Sequence, residues 1–368
     1  MIRSTRLLLA VVVSVAIAAI VPTAGASTCA GTIAIAQTTH LGAEGPGQVR
    51  WARLAIADFN SANSTAFRAE VHRVANTAAG PAAVARAVVA GDAIGMVGFQ
   101  RSTQVIEGGS VFDRAGLAYV SPSATRTSLT NGAHRAFFRV VPPDSIQAPT
   151  IARYAVRTWH ARNVVVVNDD DAYSTDLTDA TAKALSGYGL TPTRLRVVQG
   201  APSYTDAVAA IGPDVDTVVL GLSTIADVNR FAADLATSGR TPHLIGGDAA
   251  FSSSLDAPGM AVTSYLGDVE GNAFGRAASN AYRARYGAFD PTGAAAYTAA
   301  RSLMTAAMAD CEAHGDATRT GVLAELPGIR LSSSIFGHPV SFTASHNPRG
   351  ATYYVWTQKP DGRFRVTG

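Results

Sequence analysis

The chain has 368 residues, 47% of them apolar and only 15% charged, ample material for a sizeable core and, by length, for more than one domain. Such a composition excludes global disorder. The 30 basic and 27 acidic side chains leave a formal charge of +3, too small an excess for the basic footprint of a nucleic-acid-binding surface.

The first residues follow a different pattern from the rest. Arg3 and Arg6 precede an apolar run over 7–21, broken once by Ser14, and Ala24-Gly25-Ala26 supplies a small-x-small cleavage site. The run is shorter than the ~20 residues a membrane-spanning helix needs. Segment 1–26 is therefore expected to be a signal peptide, and the mature chain to be secreted or extracytoplasmic without stable membrane insertion. Only two cysteines occur, Cys29 and Cys311, and both survive cleavage after Ala26. An exported compartment permits them to pair, which would close a loop of about 280 residues. A lipidated cysteine would want an apolar residue such as Leu three places before it and a small one just before. Ala26 and Thr28 hold those places here, favouring a soluble secreted form.

From Gly31 onward, short apolar runs alternate with helical spacing. Residues 32–37 predict a strand, 46–60 a helix with Val49, Leu54, Ile56 and Phe59 on one face, and 68–76 a strand with outward Arg and His. A helix over 81–90, with Pro at a tolerated first-turn position, leads to a buried strand AIGMVG, a helix over 102–114 and a strand over 117–120. The same grammar returns with a helix over 148–160. The unbroken run VVVVND follows, of the kind expected when both faces of a strand are covered, then a helix over 174–187. LTPTRLRVV, a helix over 204–211, DTVVLG, a helix over 225–238 and HLIGGD complete further units. After these come two alanine-rich helices, 271–286 and 294–313, then strands around PVSFT and TYYVWTQ, with KPDG as a hairpin turn. Alternation at this spacing predicts an α/β fold with parallel sheets covered on both faces. Two similar runs, about 32–141 and 161–265, suggest two lobes. Ligands bind such sheets beyond the carboxyl ends of the strands.

Four strand ends could carry chemistry. In GFQRSTQ, Ser102 or Thr103 can cap a helix, or the same helix N-terminus can hold a ligand anion. In YVSPSATRTSLT, Pro122 keeps the chain extended past its strand, so that carbonyls and the hydroxyls of Ser123 and Thr125 face either a cleft or solvent. In NDDDAYSTD, Tyr173 could cover a ligand. Asp169, Asp170, Asp171, Asp176 and Asp179 lack the spacing, central Gly and final Glu of a calcium loop, so no metal is expected. In LIGGDAAF, Asp248 follows two glycines and could accept hydrogen bonds from an ammonium or cap a helix. No nucleophile elbow, zinc-protease helix, P-loop or strand-linked dinucleotide fingerprint is present, and His40, His243 and His338 are scattered. A cleft without an activated nucleophile or base reads as a binding site, and neither enzyme activity nor a cofactor is expected.

In order and spacing, TIAIAQTTHLGAEGPGQVRWARLAIADFN, AGLAYVSPSATRTSLT with FFRVVPPDSIQAP, VVVVNDDDAYSTDLTDATAKAL, ATSGRTPHLIGGD and PVSFTASHNPRGATYYVWT resemble the type I periplasmic binding proteins. The similarity is to the branched-chain amino-acid (Leu/Ile/Val) substrate-binding proteins of ABC transporters, and it covers essentially the whole mature chain. It implies two Rossmann-like lobes, 30–143 plus 270–344 and 144–269 plus 345–368, joined by three crossovers and closing on a ligand. It also implies an α-carboxylate held at Gln100 or Ser102 and at Thr125. The ammonium would be held by a carbonyl at Ser123, beside Ala124, and by Asp248, with Tyr173 closing over the ligand. This sequence departs from the family's small hydroxyl residues at Phe99, Gln100 and Arg101, and Arg101 could pair with a second carboxylate or fill the cleft. Ser223 and Thr224 stand where relatives often place an aromatic, which weakens the case for an apolar side chain and leaves a polar ligand open. The expected partners are a small amino acid or analogue and an ABC permease; a ligand-sensing module coupled to a signalling protein is the rival, and an enzyme on the same scaffold a third class.

Overall fold

The structure, a computed structural model, describes residues 29–39, 44–75 and 77–368. The expected signal segment 1–26 and His40 lie outside the described residues. The first unit runs β1 (Ala30–Thr38), α1 (Glu44–Asn63), β2 (Ala66–Val74), α2 (Gly80–Ala90), β3 (Ala93–Val97), α3 (Ser102–Ala115), β4 (Ala118–Ser121) and β5 (Phe137–Arg139). Its strands form one parallel sheet in the order β2-β1-β3-β4-β5. The second unit runs α4 (Asp144–Thr158), β6 (Val164–Asn168), α5 (Ala172–Ser186), β7 (Thr193–Arg196), α6 (Thr205–Ala209), β8 (Thr217–Leu220), α7 (Ile225–Thr237), β9 (His243–Gly246) and β10 (Ala261–Ser264). Here β7-β6-β8-β9-β10 repeats the strand order of the first sheet, parallel throughout. In each sheet the order reverses between the first and third strands. Such a switch point splays the following loops apart and opens a crevice at the carboxyl edge.

The chain then returns. Helices α8 (Ala273–Tyr286), α9 (Ala295–His314) and α10 (Arg319–Glu325) follow the second sheet in sequence but pack on the first, α9 against α1, β3 and β4. Finally β11 (Tyr354–Gln358) and β12 (Phe364–Val366) extend the second sheet as antiparallel strands beyond β10. The path therefore crosses between the sheets three times, after β5, after β10 and before β11. Tyr353 ties these crossings together: its hydroxyl donates to the Pro142 carbonyl at 3.1 Å and its ring packs edge-on to Tyr265.

The apolar runs fill the interior as their patterns require. Ile33, Ala34 and Ile35 of β1 and Val164–Val167 of β6 are all buried. Trp51 of α1 is fully buried, stacked on Tyr282 of α8, and satisfies its indole N–H on the Asp290 carbonyl at 2.8 Å. KPDG is a turn as expected, with Gly362 at φ 78°, where the absence of a Cβ removes the strain. The strand predicted around PVSFT is reduced to single bridges, Leu331 with Val340 and Phe342 with Pro348. Pro348 has no N–H to continue a ladder. The short strands β5 and β10 and helix α10 carry too few residues to show a periodicity.

Cys29 and Cys311 are joined in a disulfide. It fastens the start of β1 to α9, two elements 282 residues apart in sequence. Reduction is expected to cost about 2–4 kcal/mol, read as a lower urea midpoint with dithiothreitol present. An unchanged midpoint would show that the bridge adds nothing to stability.

Candidate functional site

A cavity of about 70 Å³, room for a few waters, lies between the carboxyl edges of the two sheets. From the first unit it is lined by Gln48, Gln100, Arg101, Ser102 and Ser123, and from the second by Asp171, Tyr173, Ser223, Asp248 and Phe251. Ser264, Tyr265 and Leu266, at and just beyond the end of β10, and Thr292 before α9 complete the wall. Each predicted strand end thus reaches the cavity, because parallel strands deliver their following loops to one edge.

The wall is built unevenly. After β3 the chain is extended at Arg101 and enters α3 at Ser102, whose hydroxyl accepts from the Arg126 N–H at 3.2 Å. Phe99 turns inward against Phe112 and Tyr119, so the departure from small residues there serves the core. Arg101 does not fill the cavity. Its guanidinium crosses to Asp171 at 2.9 Å, where the Thr103 hydroxyl also donates at 2.6 Å. Arg126 adds a bond to the Ala172 carbonyl at 2.7 Å, and the Thr127 N–H donates to Asp176 at 2.8 Å, so α5 is clasped to the first unit.

In the segment after β4, most polar groups are consumed internally. Arg139, fully buried, donates to the carbonyls of Ala124, Arg126 and Thr127, to Thr130 Oγ1 and to Asn347 Oδ1. Burial pushes its pKa down to about 10, which leaves it charged at neutral pH. Ser123 Oγ donates to the Gln100 carbonyl at 2.7 Å. Thr125 is likewise turned inward: its carbonyl accepts from the Asp144 N–H at 2.9 Å, its buried side chain lies at the Asp144 carboxyl, and it stands outside the cavity wall.

On the second sheet the acidic run is divided among separate tasks. Asp169 accepts from the N–H and hydroxyl of Ser223 at 2.8 and 2.7 Å, joining the ends of β6 and β8. Asp170 pairs with Arg196 and Asp179 with Arg194, while Asp171 also caps α5 by accepting from the Tyr173 N–H at 3.0 Å. Thr224 caps α7, accepting from the Asp227 N–H at 3.2 Å, and Thr224 and the buried Ala124 stand outside the cavity wall.

Asp248 opens a short 3-10 turn, Asp248–Ala250, but its side chain caps nothing there. Its Oδ1 is buried without a hydrogen-bond partner among the described residues. Burial raises its pKa from the ordinary 3.8 to about 6, against the smaller opposing effects of hydrogen bonding by Gln147, Tyr173 and its own backbone to the carboxyl group. Tyr173 lies over the turn, and Gly247 is what admits it: a Cβ there would stand 2.0 Å from the Tyr173 hydroxyl.

Residues that sequence reasoning missed enter from helix starts. Asp144, in the first turn of α4, is fully buried beside Thr125. Burial and then the charge of Asp248 push its pKa well above the ordinary carboxylate range. A first-turn Asp reads in sequence as an ordinary helix-start signal, which conceals it. Gln48, in the first turns of α1, and Thr292 gave no signal at all.

A sequence pattern described as "Periplasmic binding protein" matches residues 33–363. An amino acid binding protein of Pseudomonas aeruginosa is 33% identical over 109 residues, a match spanning 29% of this chain and 29% of that protein. Among solved structures, a leucine binding protein from Thermotoga maritima superposes with a TM-score of 0.83 at 16% identity, over 93% of this chain and 98% of the other. A branched-chain amino acid transporter substrate binding protein from Streptococcus pneumoniae, in complex with isoleucine, gives 0.78 at 22% identity, over 92% and 99%. With two α/β units of repeated strand order, three crossings and a match along nearly the whole described chain, the protein belongs to the periplasmic binding protein family, a family of solute-binding proteins and not of enzymes.

Proposed function

We propose that the protein is an extracytoplasmic receptor that captures an amino acid or similar small zwitterion and delivers it to an ABC-type permease. The observation that carries this reading is Asp248, a buried carboxylate with one oxygen unpartnered among the described residues, on one side of a cavity whose other side offers Ser102 and the N-terminus of α3. Opposite charges of one solute match these two sides. The α-carboxylate sits at Ser102 and Thr125. The ammonium sits at Asp248 and the Ser123 carbonyl, under Tyr173. The lobes are 30–143 plus 270–344 and 144–269 plus 345–368, and the solute favours their closed arrangement because neither lobe alone meets both of its charges. The leucine- and isoleucine-binding relatives and the amino acid binding protein of Pseudomonas aeruginosa support the substrate class. The basic and apolar leader with its small-residue cleavage site supports export.

Asp248→Asn is expected to weaken amino-acid binding by at least about tenfold in titration calorimetry, the loss of one charge-assisted hydrogen bond. Unchanged affinity would remove Asp248 from the site. Because the ordinary carboxylate pKa lies below that of Asp248, the folded protein binds a proton that the unfolded chain releases between about pH 4 and 6. Its ionised form is thus a cost above about pH 6, and Asp248→Asn should stabilise the ligand-free protein at neutral pH by on the order of 2 kcal/mol. A lower melting temperature for the variant would contradict this.

Affinity has the opposite dependence on pH. An ammonium needs the ionised carboxyl, so affinity should hold above about pH 6 and fall below it, approaching tenfold per unit. Affinity that stays flat from about pH 7.5 to 5 would rule out Asp248 as the ammonium's partner. Gly247→Ala should displace Tyr173 and reduce affinity by about tenfold or more while the fold persists, the circular dichroism spectrum serving as control.

A further inference from the structure

The cavity holds two buried side-chain amides whose orientations are settled by their neighbours. Gln100 Oε1 accepts from the backbone N–H of Thr38 at 2.8 Å. A backbone N–H can only donate, so that atom of Gln100 is the oxygen, and the other, Nε2, is the donor. Among the described residues Gln100 Nε2 has no partner, and Gln100 is 3% exposed.

Gln48 is settled by a chain one step longer. Ser123 Oγ lies 2.7 Å from the Gln100 carbonyl, which can only accept, so the single hydroxyl hydrogen of Ser123 is spent there. The contact between Ser123 Oγ and Gln48 at 3.2 Å must then be a donation from Gln48, which places Nε2 at the serine. The remaining atom, Gln48 Oε1, is an acceptor without a partner among the described residues, and Gln48 is 5% exposed. Both residues line the cavity, and both are linked through Ser123.

Two locked amides therefore present one unmet donor and one unmet acceptor. A hydrocarbon side chain would leave both unpaired on closure, each at the cost of a buried polar group. A carboxylate would set its oxygens against Gln48 Oε1, and an ammonium would set its hydrogens against Gln100 Nε2. A carboxamide meets both, its N–H donating to Gln48 and its carbonyl accepting from Gln100. We infer that the ligand is an amino acid with a carboxamide side chain, glutamine or asparagine. This deepens the receptor reading and rests on it. It assigns Gln48 and Gln100 as the residues that determine specificity.

Titration calorimetry of the mature protein with glutamine, asparagine, glutamate, leucine, methionine, serine and threonine tests the assignment. Leucine is close in shape to asparagine, and methionine to glutamine, without the amide. At least one amide is expected to bind about tenfold or more tighter than its apolar counterpart and than glutamate, serine or threonine. Gln48→Met should cut that preference to within about threefold, by weakening the amide and strengthening leucine or methionine, with an unchanged circular dichroism spectrum and melting temperature showing that the variant is folded. Leucine, methionine, glutamate, serine or threonine binding as tightly as both amides would overturn the carboxamide assignment and leave the receptor reading standing. So would a Gln48→Met protein that keeps its amide preference. No binding of any of these amino acids would overturn both.

Discussion

A charge can be buried either with every hydrogen-bonding position filled or with one left open, and this protein does both within one cleft. Arg139 is filled: five oxygens surround its guanidinium, and burial lowers its pKa only to about 10. Its effect is to fix residues 124–130 as a rigid ledge beyond β4. Asp248 is left open at one oxygen, with Oδ1 unpartnered among the described residues and its pKa raised to about 6. The first arrangement makes structure and the second stores an unmet interaction, because a buried carboxylate with one oxygen open is costly until a donor arrives.

Much of this was legible in the sequence, for a definite reason. Parallel strands deposit their following residues on one edge, so Ser123, Tyr173, Ser223 and Asp248 could be named from their positions after TIAIA-like and VVVV-like runs. Thr224 occupies the same kind of position and turns away to cap α7, a choice decided by Asp227 three residues later. What stayed hidden comes from pairings distant in sequence. Gln48 and Asp144 stand at helix starts, where polar residues are ordinary, and only the packing of α1 brings Gln48 to the cavity and that of α4 buries Asp144. The repeated strand order was also hidden, because alternation of strand and helix fixes the class of sheet but not which strands are neighbours. The two readings left open for Arg101 turn on Asp171, 70 residues away, which no local pattern could identify.

The clasp between the units has a different energetic character from the cavity. Arg101 and Asp171 are each about a tenth exposed, and both must shed water to meet. Such a pair gains little net free energy over its hydrated components, since desolvation offsets most of the attraction. Arg126 with Ala172 and Thr127 with Asp176 lie nearer solvent and add modestly. The clasp therefore fixes the register in which the two edges meet more than it holds them shut.

That division of labour bears on the hinge. Three chain crossings confine relative motion of the sheets to a narrow set of directions, and Tyr353, bonded to Pro142 and packed on Tyr265, keeps the crossings in register with one another. Within that set, the nearly neutral clasp does little to favour one arrangement of the edges over another. What remains is the set of cavity-lining side chains with an atom left unsatisfied among the described residues: Asp248 Oδ1, Gln48 Oε1 and Gln100 Nε2. On the receptor reading proposed above, a solute that satisfies these atoms favours the arrangement that brings the two edges together. Only such a difference in affinity between two states allows binding to move an equilibrium.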